Sequence, residues 1–349
     1  MSESSARWPT RFRPRATPPS VEALQTMTGT TLAVWGLGSI GLRHATNGLA
    51  CGARVIGYDP SADRRDLLTA RGGEVTEHRK DSFAQADAVL ICTSSAQHLD
   101  DLKTVLSAGK SVFVEKPLAD RIDGLEDMLG LAQSQGLTVA TGYVFRFHPA
   151  IKRAETLLKS GAVGRVLWGR FIASSYLPDW RPHQDHRTGY AASARLGGAI
   201  FDYTHDIDLA LHLIGAGELE AAVASNSSLL QIDSEDLAVI VLRHGEGAVS
   251  SLHMDYVSRP GQRRFEIAGT EGRLTVDVLA RRLEHLGSDG QVIETETFGG
   301  SFDDDYVEEM EAFLQALQGS ETPLAGAGAG LATLKAALSA RRMCGLPQA

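Results

Sequence analysis

Two places in this 349-residue chain hold side chains suited to moving a proton: Lys116, inside Glu115-Lys116-Pro117, and His205, three residues beyond Asp202 in Asp202-Tyr203-Thr204-His205. Lys116 follows the apolar run Ser111-Val112-Phe113-Val114. That run reads as a buried strand, and open α/β sheets take their ligands at the carboxyl ends of such strands. An ammonium there can give a proton to a hydroxyl, take one from it, or steady a developing alkoxide. A histidine exchanges protons near neutrality, and a neighbouring carboxylate can orient it. The apolar spacing of Ile207, Leu211 and Ile214 predicts one helix through this segment. Residues three apart on a helix share a face, so Asp202 and His205 are expected side by side.

The elements that must position these groups begin at residue 30. An apolar strand at 31–35 runs into Gly36-Leu37-Gly38-Ser39-Ile40-Gly41 and then a helix at 42–50. In that setting Gly36 permits the tight turn, Gly38 lets backbone approach a pyrophosphate, and Gly41 lets helix and strand pack closely. Ser39 and Ile40 complete the candidate phosphate loop. The next strand, 54–58, ends in Asp59, 18 residues beyond Gly41. A carboxylate there accepts from the adenosine ribose hydroxyls and repels a 2′-phosphate, which favours NAD over NADP. Arg64 and Arg65 lie close enough to leave NADP open, and Asp59-Pro60 can also be read as a plain turn.

Further strands at 88–92, 111–114 and 138–143 alternate with helices at 99–108 and 122–135. The pattern is a doubly wound parallel sheet. Small residues after the 88–92 strand, Thr93 and Ser94, leave room for cofactor backbone. His98 reads equally as a group on the nicotinamide side of the site or as a cap of the next helix.

Beyond residue 150, alternating segments at 237–243, 248–256, 264–268, 272–276 and 282–286, with turns at Gly245-Glu246-Gly247 and Gly269-Thr270-Glu271-Gly272, indicate a largely antiparallel open sheet. Helices at 150–160, 306–318 and 331–343 flank it. The Gly-Ala stretch 325–330 reads as a linker or helix start. Between the domain junction and the glycine pair lies the loop Tyr176-Leu177-Pro178-Asp179-Trp180-Arg181-Pro182-His183-Gln184-Asp185-His186-Arg187. Trp180, Arg181 and Arg187 suit a polar ring or an anionic group, and such loops do recognition work. The HxxH spacing of His183 and His186 has no further ligand nearby, so no metal site is expected.

The glycine-rich loop, Glu115-Lys116-Pro117, Gly142-Tyr143-Val144-Phe145-Arg146-Phe147-His148-Pro149 and the Gly197-Gly198 segment, in this order, resemble the Gfo/Idh/MocA family of oxidoreductases. The resemblance covers roughly residues 30–345. It implies that Lys116 is an active-site residue, that Pro117 is often preceded by a cis peptide, and that the 176–187 region lines a sugar pocket. The family pattern has an aspartate four residues before its histidine. Matching Asp208 aligns His205 with that histidine and displaces Asp202 by one position.

The resulting expectation is a dinucleotide-binding domain at 30–147, with Glu115 and Lys116 beside the cofactor, and a substrate-binding and oligomerisation domain at 148–349. Arg146, Trp180, Arg181 and Arg187 join Lys116, Asp202 and His205 as candidate substrate contacts. The expected reaction is hydride transfer between NAD and a secondary alcohol or ketone of a sugar, sugar acid or cyclitol. An NAD-dependent glycosidase and a non-catalytic dinucleotide sensor are the alternatives from other classes. The resemblance also implies a homodimer or homotetramer formed through the second sheet.

Composition sets outer bounds. A net charge of −9 gives no footprint for nucleic acid. No apolar run is long enough to cross a bilayer as a helix. Cys51, Cys92 and Cys344 form no CxxC pair, which fits a reducing cytoplasm. Residues 1–29 carry Arg7, Arg11, Arg13 and Arg15 among prolines. They read as a mobile tail, an arm on a partner subunit, or an organelle address.

Overall fold

The computed structural model describes residues 29–348, so the readings of segment 1–28 lie outside the described residues. The chain divides into two compact units. One comprises the described residues through Phe147 together with Ser301–Leu331, and the other His148–Gly300 with the residues from Ala332 onward.

In the first unit the strands β1 (Thr31–Trp35), β2 (Arg54–Tyr58), β3 (Glu74–Thr76), β4 (Ala88–Ile91), β5 (Ser111–Glu115) and β6 (Val139–Gly142) are parallel, in the order β6-β5-β4-β1-β2-β3. They alternate with α1 (Ser39–Ala50), α2 (Ala62–Thr69), α3 (Arg79–Gln85), α4 (Ser95–Ser107) and α5 (Leu125–Ser134). Every residue of β1 and β4 is buried. Helices cover both faces of such a sheet, so its strands read as unbroken apolar runs. The strand order reverses at β1, which pairs with both β2 and β4. Ligands of open sheets bind outside the strand ends at this switch point.

The helix Phe302–Leu317 returns to this unit. Its Val307, Met310, Phe313 and Leu314 join Leu32, Val34, Leu90 and Phe113 in one buried cluster. A capping box starts it: Asp304 N–H donates to Ser301 Oγ at 3.3 Å and Ser301 N–H donates to Asp304 Oδ2 at 2.8 Å. The stretch expected as a linker or helix start is both less and more than that. Ala325–Gly326 pairs antiparallel with β6 as a short edge strand, and the helix Ala327–Met343 begins at once after it.

The second unit carries α6 (Pro149–Lys159), β7 (Val166–Tyr176), α7 (Ala199–Asp202), α8 (Thr204–Ile214), β8 (Gly217–Ser225), β9 (Leu237–His244), β10 (Val249–Asp255), β11 (Val257–Gly269), β12 (Gly272–Asp277), β13 (Arg282–Gly287) and β14 (Val292–Thr297). The sheet runs β14-β13-β12-β11-β7-β10-β9-β8, and every pairing except β7 with β10 is antiparallel. The two outermost strands, β8 and β14, give no clear signal in the sequence. Both are almost wholly exposed or half-exposed, so no buried face imposes a two-residue alternation.

The single helix expected through Asp202 and His205 is broken. Tyr203, at φ −95° and ψ 26°, ends α7 and precedes α8. Asp202 closes one short helix and His205 lies in the first turn of another, so the helical-face argument does not hold for this pair.

Candidate active site

The loop after β1 has the form a dinucleotide needs. Gly36 has φ +88°, and a Cβ on it would lie 2.5 Å from Cys92 O. A Cβ on Gly41 would lie 1.8 Å from Gly36 O. Both positions therefore exclude a side chain for internal reasons. Gly38 differs, since a Cβ there would meet only Arg64 Nη1 at 3.6 Å. Gly38 is also the N-cap of α1, and no side chain caps that helix. Ser39 and Ile40 open its first turn, where unscreened amides attract an anion. A diphosphate fits this cradle.

Asp59 is buried at the end of β2. Its Oδ2 accepts from Leu37 N–H at 2.8 Å and its Oδ1 from Ser61 N–H at 2.9 Å. The carboxylate thus fixes the glycine-rich turn as well as ending the strand. Of the two nearby arginines, Arg65 donates to Asp59 O at 2.8 Å and to Glu77 at 3.2 Å. Arg64 is exposed, with Nη1 3.6 Å from Asp59 Oδ2.

The loops after β4 and β5 are tied to each other. Thr93 donates its hydroxyl to Asp101 Oδ2 at 2.7 Å, and Asp101 pairs with Arg79, whose guanidinium lies 3.8 Å over the Trp35 ring. Ser94 is exposed at the N-cap of α4. His98, 1% exposed, caps nothing. Its Nδ1 lies 2.8 Å from Pro117 O and its Nε2 3.1 Å from Thr93 O. Glu115 is buried, with Oε1 2.6 Å from His44 Nε2 and Oε2 accepting from Lys116 N–H at 3.1 Å. Lys116 is half-buried, and the Lys116–Pro117 peptide is cis, as the family resemblance implies. Arg146 is buried in the short 3₁₀ turn Val144–Phe147.

In the second unit, the turn Gly197-Gly198 feeds α7. Arg341 donates to Gly197 O at 3.0 Å and to both oxygens of Glu235 at 3.3 Å, and Glu235 Oε1 accepts from Ile200 N–H at 3.2 Å. Burial pushes the Glu235 carboxyl up to about 7, with Arg341 partly opposing the rise. At the end of α7, Asp202 is buried between two phenols. Tyr190 donates to Oδ1 at 2.8 Å and Tyr256 donates to Oδ2. Burial and the Asp202 charge raise the Tyr256 phenol well above its ordinary value, so it stays a donor.

The loop 176–187, expected to meet substrate, is pinned at its start and its end. Trp180 Nε1–H donates to Ser175 Oγ at 2.7 Å, Ser175 Oγ lies 2.6 Å from Tyr203 Oη, and Tyr203 donates to Asp255 O at 2.9 Å. Arg187 grips Asp185 through Nε and Nη2 at 2.9 and 2.7 Å, and holds that carboxyl down at about 2. Among the described residues, the exposed Arg181 side chain makes no hydrogen bond or ion pair. His186 Nε2 lies 3.0 Å from Leu230 O. His205 is half-buried.

The groups that sequence reasoning missed are the partners. His44 lies on α1 and reaches Glu115, 71 residues away. Tyr190 and Tyr256 come from a loop and from the junction of β10 and β11. No local pattern marks a residue whose partner is supplied by another element.

Two family models match the chain. One, described as the NAD-binding Rossmann fold of an oxidoreductase family, covers residues 31–143, and the other, the GFO/IDH/MocA C-terminal domain, covers residues 151–275. The chain belongs to the Gfo/Idh/MocA oxidoreductase family. As such it is an NAD-binding dehydrogenase or reductase, and its NAD-binding Rossmann fold spans residues 31–143.

Relatives of this Gfo/Idh/MocA member include myo-inositol 2-dehydrogenase of Thermotoga maritima, 27% identical over 84% of this chain and 89% of that protein. The NAD-dependent scyllo-inositol 2-dehydrogenase of Bacillus subtilis is 25% identical over 84% and 87%. A levoglucosan dehydrogenase structure in complex with NADH and levoglucosan shares the fold, with a TM-score of 0.82 at 19% identity over 90% of this chain and 97% of that one. No helix among the described residues is long and apolar enough to cross a membrane.

Proposed function

We propose that this family member transfers a hydride between NAD and a secondary alcohol or ketone of a sugar, sugar acid or cyclitol. The observation that carries the reading is Lys116, at the carboxyl end of β5 in an NAD-binding fold, on a loop fixed by buried side chains. The relatives named as inositol dehydrogenases support the substrate class.

When bound, NAD supplies the hydride acceptor. The α1 N-terminus at Gly38, Ser39 and Ile40 would hold its diphosphate, and Asp59 its adenosine ribose. In the oxidation direction the carbinol carbon loses hydride and the hydroxyl loses a proton. Lys116 steadies the alkoxide, and Lys116, His205 or both take the proton. Asp202 tunes the second unit's contribution, while Arg146, Trp180 and Arg181 face substrate. In this reading residues 30–147 bind the dinucleotide, and 148–349 bind substrate and join subunits. The exposed Trp168, Val223 and Ile293 on the eight-stranded sheet suit a homodimer or homotetramer.

Lys116→Ala tests this. On a panel of inositols, aldoses and uronic acids followed at the NADH absorbance, turnover should fall on the order of 10²–10⁴-fold while NADH binding is kept. Normal turnover by the variant would sink the reading. Net glycoside hydrolysis without net cofactor reduction would replace it with a glycosidase.

A further inference from the structure

We infer that His98 is a positioning residue for Lys116: one buried imidazole ties the loop bearing the lysine to the loop after β4 on the cofactor side. The inference rests on the catalytic reading of Lys116 above.

The geometry is specific. His98 sits in the first turn of α4, whose N-cap is Ser94, and is only 1% exposed. Its two ring nitrogens meet two backbone carbonyls, Pro117 O at 2.8 Å and Thr93 O at 3.1 Å. A carbonyl only accepts, so each contact requires N–H on the ring. A neutral ring donates to one of them and a charged ring to both. The acceptors belong to the residue directly after Lys116 and to the first residue after the Val89-bearing strand β4 and Cys92. Thr93 is itself held from the other side, through its hydroxyl, by Asp101 and Arg79.

A second buried histidine completes the grip from the opposite flank. His44 on α1, 0% exposed, lies 2.6 Å from Glu115 Oε1, and the other carboxylate oxygen accepts from Lys116 N–H. The residues on both sides of Lys116 are thus anchored by imidazoles from two different helices. The helix that carries His44 is also the helix that starts at the glycine cradle. Neither histidine needs to touch substrate for this. Each limits where the lysine backbone can go, and displacement of a reacting group by about 1 Å can cost 10²-fold in rate.

Two substitutions separate the two bonds. An asparagine amide nitrogen takes roughly the place of Nδ1, and a glutamine amide nitrogen that of Nε2. His98→Asn should therefore keep the Pro117 contact, and His98→Gln should keep the Thr93 contact and lose Pro117. The readouts are kcat on the best substrate of the panel, the NADH dissociation constant by fluorescence, and the reactivity of Lys116 toward a lysine-directed acylating reagent mapped by mass spectrometry. His98→Asn should stay within about threefold of wild type in kcat, and His98→Gln should lose on the order of 10²-fold. NADH affinity should stay within about threefold for both, and Lys116 labelling should change only in His98→Gln. Equal kcat in the two variants, or a loss confined to NADH affinity, overturns the inference. If Lys116→Ala leaves turnover intact, the catalytic reading fails alone, because Lys116 labelling still tests whether His98 sets the loop.

Discussion

Tyr190 donates its hydroxyl to Oδ1 of Asp202 at 2.8 Å, while Tyr256 donates to Oδ2 of the same carboxylate. Asp202 is 6% exposed, so these phenols replace water at a buried charge. Tyr256 is fully buried, and although Tyr190 as a residue is 49% exposed, its hydroxyl end is buried against Asp202, which raises that phenol well above its ordinary value. Removing a donor from a buried charged acceptor costs about 1–3 kcal/mol, and less where water can enter. Tyr190→Phe and Tyr256→Phe should therefore each destabilise by about 1–3 kcal/mol. Urea unfolding of both variants checks this, and an unchanged midpoint in either would show that water replaces that phenol at the carboxylate.

Asp59 holds the glycine-rich turn and, in the proposed reading, the adenosine ribose, and a substitution should separate the two. Its carboxylate holds the Leu37 amide of the glycine-rich turn and faces the exposed Arg64. Asp59→Ser should raise KM for NAD by about tenfold, equivalent to about 1.4 kcal/mol, and raise kcat/KM for NADP. Arg65 is committed to Asp59 O and Glu77, so Arg64 is the cation left for a 2′-phosphate. Adding Arg64→Ala should abolish the gain with NADP. Retention of NADP use in the double variant would move that role to another residue.

The parallel sheet was legible in the sequence because its strands are buried on both faces and its turns are marked by glycines. Asp59, Lys116 and the glycine cradle fall where strand ends must place them. The break at Tyr203 was not legible, since apolar spacing runs on through Ile207, Leu211 and Ile214 as if one helix continued. β8 and β14 escaped because exposed outer strands need no alternation. His98 was recognisable as a residue of interest, but both of its ring nitrogens face backbone carbonyls. Backbone acceptors leave no trace in side-chain identity, so nothing in the sequence marks where His98 is held.

Arg181 and Arg187 look equivalent in sequence and differ in the fold. The Arg187 guanidinium is already paired with Asp185 and also donates to Gln231 Oε1 at 3.2 Å. Among the described residues Arg181 has no such partner. If the substrate is a sugar acid, Arg181→Ala should raise its KM about tenfold or more, and Arg187→Ala less than about threefold, since a committed cation has little left to offer. Steady-state kinetics with matched neutral and acidic sugars would check it. A larger effect at Arg187 would mean that the Asp185 pair opens on binding.

Glu235 and Arg341 form a buried pair 106 residues apart that secures the turn into α7. Gly198, at φ +98°, leaves room for it, because a Cβ there would lie 2.1 Å from Glu235 Oε2. The Glu235 carboxyl titrates at about 7 in the fold, against an ordinary value of 4.5. A carboxyl raised on folding favours the folded state fully below the ordinary value, and that contribution is lost as pH rises through the folded value. Stability from this group therefore declines between about pH 4.5 and pH 7 and is flat above. Glu235→Gln should remove that slope, while Arg341 keeps Gly197 O, Ala194 O at 2.6 Å and Pro347 O at 2.8 Å as acceptors. Arg341→Met strands the carboxylate, and breaking a buried pair from one side costs about 3–5 kcal/mol. That loss should be largest at pH 8, where Glu235 is charged, and smaller at pH 5, where it can take up a proton. Urea unfolding at the two pH values measures the difference directly. An equal loss at both would mean that Arg341 acts through its backbone carbonyl partners alone and that its charge opposite Glu235 contributes nothing.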